Sequence, residues 1–327
     1  MGKTPELVGW ASQLMRRQLE PRPRTSPDQI PAARETWGLN NLPHLATDLP
    51  QLGDNHHGIV LRSRHGRDLT VDVHIPKGKG PFPTLVYMHG GSWTLWSAAH
   101  LRKLCMQIAE RGFVVVNVEY GLAPEHPWPW AVEDALYAAR WAAKNAERYG
   151  GRSDRLYIGG DSAGANLTAA AICALKGDGA KLDEGDLKDV SVDVAGALLF
   201  CGVFDFPLLF SEPRTNAGTG FIETTWNLAY LGPNFVSVHR DPLVSPAYSA
   251  VLADFPPVYI NCGDHDALVP QSLRFAKCLM DAGVPTTLSI VENADHEFLL
   301  IPEFVSGATG EFEHIIEWLR LQEAKIV

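Results

Sequence analysis

From residue 58 onward the chain alternates short, continuous apolar runs with longer stretches whose apolar positions recur at helical spacing. Runs at 84–88, 113–118, 156–160, 195–200, 258–262 and 286–291 have the length and composition of strands buried on both faces. Ahead of them, Ile59-Val60-Leu61 and the alternating positions Leu69, Val71, Val73 and Ile75 predict an antiparallel opening pair. Helical patterns fall between the runs, at 98–111, 131–149, 163–177, 270–283 and 310–323. In the second of these Val132, Ala135, Leu136, Ala139 and Ala142 make one apolar stripe. Such alternation predicts an α/β fold: a mostly parallel eight-stranded sheet flanked by helices.

Two segments break the rhythm. Residues 7–19 place Leu7, Trp10, Ala11, Leu14 and Met15 on one helical face, after which Pro21, Pro23, Pro27 and Pro31 interrupt the chain and no strand pattern appears before residue 52. Between Asp205 and Ser249 no strand-like run occurs, while aromatics (Phe206, Phe210, Phe221, Trp226, Tyr230) and prolines accumulate. A gap of that length after a strand end, where open α/β sheets bind ligands, reads as a lid. The expected organisation is therefore 1–52 as the N-terminal part of a cap, 53–204 as the first part of the core, 205–249 as the second part of the cap, and 250–327 as the remainder of the core.

Composition narrows the chemistry. With 28 Lys and Arg against 38 Asp and Glu, the net charge of −10 argues against a basic face for nucleic acid or anionic membrane. No run approaches the roughly 18 apolar residues of a membrane span. The start, Met1-Gly2-Lys3-Thr4-Pro5-Glu6, lacks a secretory apolar segment, so a cytoplasmic location is expected. Cys105, Cys173, Cys201, Cys262 and Cys278 are scattered in apolar surroundings and predict free thiols rather than disulfides or a metal site.

The segment Gly160-Asp161-Ser162-Ala163-Gly164 sits between the run at 156–160 and an alanine-rich helical pattern, which is the context of a nucleophile elbow. The glycines suit a strand that reverses abruptly into a helix. A serine hydroxyl is a weak nucleophile and needs a base held by a carboxylate, arriving from later strand ends in the order Ser, Asp, His. His296 follows the run at 286–291. Asp264 and Asp266 both follow the run at 258–262, and by placement alone either could face the histidine. His89-Gly90-Gly91-Ser92-Trp93, after the run at 84–88, stands where a loop of oxyanion donors is expected. Asp161 reads as a hydrogen-bonding elbow residue. The cluster Asp264-His265-Asp266 has no second convergent group, so no metal is expected.

Taken together, His89-Gly90-Gly91, the segment Tyr120-Gly121-Leu122-Ala123-Pro124-Glu125-His126-Pro127, the elbow, and Asp266-x-Leu268 resemble the bacterial hormone-sensitive-lipase-like esterases over about residues 55–320. The resemblance implies an α/β-hydrolase fold with a triad of Ser162, His296 and Asp266. It implies oxyanion donors from the amides of Gly91, Ser92 and Ala163, with Gly90 as a further candidate, and hydrolysis of short- to medium-chain carboxylic esters without a cofactor. A small-molecule ester is then the partner, and a homodimer through an edge strand is the expected assembly. Trp93 and Trp226 are candidates for the wall of the substrate pocket. An arylformamidase-like amide hydrolase is the alternative enzyme, and a receptor that has lost its histidine is disfavoured by His296. Four positions depart from the family pattern: Ser92 for glycine, Gly121 for arginine, Pro270 for aspartate, and Glu297 for the glycine after the histidine. Glu297 either raises the pKa of His296 or points away from it.

Overall fold

Strand alternation organises the structure, a computed structural model that describes residues 30–179, 181–211, 227–232, 235–302 and 305–325. The expected helix at 7–19 lies outside the described residues. A helix α1 (Ile30–Thr36) leads to β1 (Asp54–Arg64), which pairs antiparallel with β2 (Arg67–Ile75). Then follow β3 (Phe82–Met88), α2 (Ala98–Glu110), β4 (Val114–Glu119), α3 (Trp130–Asn145), β5 (Gly151–Asp161), α4 (Ala163–Cys173) and β6 (Val194–Phe200). Short helices α5 (Phe206–Ser211), α6 (Asn227–Leu231) and α7 (Phe235–Val238) precede β7 (Val258–Gly263), α8 (Val269–Asp281), β8 (Thr286–Val291) and α9 (Ala308–Ala324). The eight strands form one sheet in the order β1-β2-β4-β3-β5-β6-β7-β8, antiparallel at its first two pairings and parallel at the rest. The expected fold class is the observed one.

Period-two side-chain placement feeds two cores, one on each face of the sheet. In β3, Val86 and Met88 join the apolar cluster beneath α3, α4 and α8, whereas Leu85 and Tyr87 join the one beneath α2 and α9. β4, β5, β6 and β7 alternate in the same way. Each fully buried aliphatic side chain contributes about 1.5–3 kcal/mol relative to an exposed one, which is why these strands read as largely apolar runs. Every residue of the predicted stripe on α3 is fully buried.

Two strands differ from expectation. β1 extends over eleven residues, well beyond Ile59-Val60-Leu61, because backbone pairing with β2 carries it through polar positions at the sheet edge. β8, expected to be buried on both faces, is the opposite edge: it pairs with β7 alone, and Ile290 is 37 % exposed.

Register decides where the loops converge. Met88 pairs with Gly160, Asp161 with Phe200, and Gly263 with Val291, so β3, β5, β6, β7 and β8 end at the same sheet edge. Residues 89–96, Ser162, Asp266 and His296 all leave from that edge. No helix among the described residues is long and apolar enough to cross a membrane.

Candidate active site

Ser162 stands between β5 and α4 at φ 49° and ψ −115°, a conformation that costs a non-glycine residue of order 1–3 kcal/mol. Surrounding backbone enforces it. A Cβ on Gly160 would lie 2.5 Å from the Gly164 carbonyl, and one on Gly164 would lie 2.0 Å from the Met88 carbonyl oxygen. The Ser162 amide donates to the Phe200 carbonyl at 2.8 Å, fixing the turn against β6. Its side chain makes no capping hydrogen bond to α4.

The structure brings the sequence-placed residues together. His296 Nε2 lies 3.0 Å from Ser162 Oγ, and its Nδ1 lies 2.7 Å from Asp266 Oδ2. The second oxygen of Asp266 accepts the Leu268 amide at 2.8 Å, so the carboxylate cannot rotate away. Asp264, the alternative acid, turns elsewhere: its Oδ1 accepts the Ala294 amide at 3.2 Å, and its side chain is 36 % exposed. Burial alone would lower the His296 pKa. The Asp266 carboxylate, aided by Asp161 and Asp295, outweighs it and leaves that pKa above the ordinary 6.5.

The loop after β3 is built on left-handed backbone, with φ 107° at Gly91, 53° at Ser92, 59° at Trp93 and 67° at Trp96. Among the described residues the amides of Gly91 and Ser92 donate no hydrogen bond. The Ala163 amide, at the first residue of α4, has no intrahelical acceptor. Three amides without a described acceptor and the positive end of α4 thus lie at the strand ends that carry Ser162. Gly90 requires correction as an oxyanion donor, because its amide is already given to Asp161 Oδ2 at 2.8 Å. Asp161 therefore ties the elbow to this loop. His89, stacked on Tyr120 with centroids 4.2 Å apart, is pushed down to a pKa of about 3 by burial and serves as a neutral strut.

Trp93 also requires correction as a pocket wall. It is 1 % exposed and stacks flat on Tyr230 at 4.5 Å, so it packs the interior. Trp226 lies outside the described residues. A cavity of about 40 Å³ beside His296 is walled instead by Trp37, Leu42, Leu45, Trp96, Leu300 and Ile301. Sequence patterning had no means of selecting Trp37, Leu42 and Leu45, which belong to a segment without periodicity.

The departures from the family pattern find local reasons. A side chain at 121 would meet the Trp130 ring at 2.6 Å, while the Gly121 amide is held by Asp134 at 2.9 Å. Pro270 falls in the first turn of α8, where a missing N–H costs nothing. Glu297 points inward: its Oε1 lies 3.5 Å from His296 Nε2, and its carboxyl group faces that of Asp161. The donor atoms of Cys201, His296 and Glu297 lie within 4.8 Å of one another. That group is a poor cation site, since His296 Nε2 faces Ser162 and burial holds the Cys201 thiol well above its usual range.

Comparison with known proteins agrees with this geometry. Residues 85–300 match a family described by the alpha/beta hydrolase fold. The carboxylic ester hydrolase LipN of Mycobacterium tuberculosis is 31 % identical over 259 residues, covering 77 % of this chain and 66 % of that protein. The ethyl acetate hydrolase of Pseudomonas putida is 26 % identical over 273 residues, covering 80 % and 81 %. Among solved structures, a hyperthermophilic esterase from the archaeon Pyrobaculum calidifontis superposes over 100 % of both chains with a TM-score of 0.80 at 24 % identity. With the family match spanning every strand end that delivers a site residue, the chain belongs to the alpha/beta hydrolase fold family.

Proposed function

We propose that this protein is a serine carboxylesterase acting through an acyl-serine intermediate on short- to medium-chain esters. One observation carries the reading: His296 bridges Ser162 and Asp266, at 3.0 and 2.7 Å. In the first half-reaction His296 Nε2 takes the Ser162 proton as Oγ attacks the ester carbonyl. The amides of Gly91, Ser92 and Ala163 hold the oxyanion, and Asp266 stabilises the imidazolium. Collapse expels the alcohol, which receives the proton from His296. Water then repeats the sequence on the acyl-enzyme. A fluorophosphonate probe should form one adduct, on Ser162; adduct formation elsewhere, with Ser162 unmodified, would overturn the assignment.

His296 must be neutral to act, and its pKa stands above 6.5. The acid limb of kcat/KM is therefore expected above pH 6.5, with full activity from neutral into mildly alkaline pH. An optimum near pH 5 would contradict the role of His296.

The small size of the cavity beside His296, which Asp295 and Glu297 line along with the apolar side chains, supports the chain-length preference. Across p-nitrophenyl esters, kcat/KM for the palmitate is expected at least about tenfold below that for the acetate or butyrate, because each misfitted methylene weighs on transition-state binding. Faster turnover of the palmitate would reject the preference. The contacts of Trp37, Leu42 and Leu45 with the cavity, and of Tyr230 with Trp93, support segments 1–52 and 205–249 as the two parts of a cap on the core at 53–204 and 250–327. Free thiols at all five cysteines support a cytoplasmic location. The exposed edge of β8 supports pairing of two copies there.

A further inference from the structure

Two carboxyl groups converge beside the His296 imidazole, with Glu297 Oε1 3.5 Å from Nε2. Asp161 is 2 % exposed and the Glu297 side chain 10 %. Both converge on Gly90: a Cβ there would lie 2.3 Å from Asp161 Oδ2 and 2.8 Å from Glu297 Oε1. Two ionised carboxylates this close in a dry site repel strongly, which favours one of the pair keeping its proton. Asp161 is the better anion. Its Oδ2 accepts the Gly90 amide at 2.8 Å. Glu297 faces the acids Asp161 and Asp266, and His296 Nε2 beside it is directed at Ser162. Its backbone, at φ 60°, adopts a conformation that favours glycine, so nothing in the chain path calls for a glutamate.

We propose that Glu297 is a positioning residue for the esterase reaction: its neutral carboxylic acid hydrogen-bonds the Asp161 carboxylate, which holds the Gly90 amide, so that one proton ties the histidine loop to the oxyanion loop. The inference rests on the esterase reading above. Around Glu297 stand Asp161 at the end of β5, Tyr87 on β3, Tyr120 after β4, Cys201 after β6, Asp266 after β7 and its neighbour His296. Burial holds Tyr87, Tyr120 and Cys201 in their protonated forms well above their usual ranges, and burial together with the Asp161 charge raises Glu297 far above an ordinary carboxyl. Of this set, Glu297 is the acid whose proton leaves as pH rises above the ordinary carboxyl range. Its loss sets two negative charges against each other beneath the oxyanion loop and lets Gly90 and Gly91 move away from the reacting carbonyl. kcat then falls while KM holds.

The test uses the full chain with Glu297→Gln, whose amide still donates to Asp161 but cannot ionise, and Glu297→Ala, which cannot donate. Infrared difference spectra at pH 8 are expected to show the carbonyl stretch of a protonated carboxylic acid in the wild type and to lack it in E297Q. The wild type is expected to lose kcat on the alkaline side at constant KM, whereas E297Q stays flat there. E297A is expected to lose about tenfold in kcat throughout, the effect of one charge-assisted hydrogen bond. An acid with a raised folded pKa contributes stability that is complete below its unfolded value, about 4.3, and is lost as pH rises through the folded value. Wild-type melting temperature should therefore fall relative to E297Q as pH rises above about 5. An infrared band that persists in E297Q, or an alkaline limb unchanged by that substitution, would overturn the proposal. Loss of the band in E297Q together with hydrolysis independent of Ser162 would instead overturn the esterase reading and leave the shared proton standing.

Discussion

Ser162→Ala is expected to lower kcat for ester hydrolysis by about a millionfold, the size of effect seen when a serine nucleophile is removed from an intact triad. Melting temperature should change by no more than a few degrees. The substitution keeps the Cβ that the elbow already accommodates at φ 49°, and it leaves the amide bond to Phe200 and the packing of Gly160 and Gly164 untouched. What disappears is the hydroxyl 3.0 Å from His296 Nε2. The remaining amides of Gly91, Ser92 and Ala163 still polarise a bound carbonyl, so a residual rate above water of about a thousandfold is compatible with the mechanism. A variant that keeps more than about a hundredth of wild-type kcat would place the nucleophile elsewhere, since electrostatics without covalent attack do not reach that level. Loss of phosphonate labelling in the same variant separates an absent nucleophile from a misfolded protein, provided the melting transition is retained.

The sheet is readable because burial on both faces leaves a strand mostly apolar, with only isolated buried polar residues such as Thr84, Asn117 and Asn261 in β3 to β7. β1 and β8 escaped that pattern for one reason, their position at the edges, which no local pattern records. Ser162, Asp266 and His296 could be selected since parallel strands deliver their loops to a common edge, which makes position after a strand more telling than residue type. Contacts made across the site were less legible. Gly90 and Gly91 look alike in sequence, yet one amide is used by Asp161 while the other donates to no described residue. Trp93 reads as a candidate for the pocket wall, whereas its ring stacks inward against Tyr230. Glu297 was visible as an oddity beside the histidine, and Asp161 as a hydrogen-bonding residue beside the serine. That the two meet follows only from the fold, which brings the end of β5 and the turn after β8 to the same glycine.

Asp266→Asn is expected to lower kcat by about ten-thousandfold, and Asp264→Asn by less than about threefold, although the two residues are separated by one position. Geometry dictates the contrast. Asp266 Oδ1 accepts the Leu268 amide at 2.8 Å and Oδ2 faces His296 Nδ1 at 2.7 Å. In the asparagine variant the carbonyl oxygen must stay with the Leu268 amide, since an NH₂ group there would oppose another donor. The side-chain NH₂ is then presented to Nδ1, which becomes an acceptor and forces the imidazole proton onto Nε2. An Nε2–H cannot take the proton from Ser162, so the fault is a wrong tautomer in an otherwise intact site. Asp264 touches neither ring nitrogen; its Oδ1 holds the Ala294 amide at 3.2 Å, and an asparagine carbonyl can do the same. Its replacement should cost at most about 1 kcal/mol of stability, one exposed hydrogen bond. Comparing the two variants by kcat at pH 8 identifies the acid directly. Equal losses would mean that the loop after β7 acts as a unit rather than through Asp266, and a larger loss in Asp264→Asn would reverse the assignment.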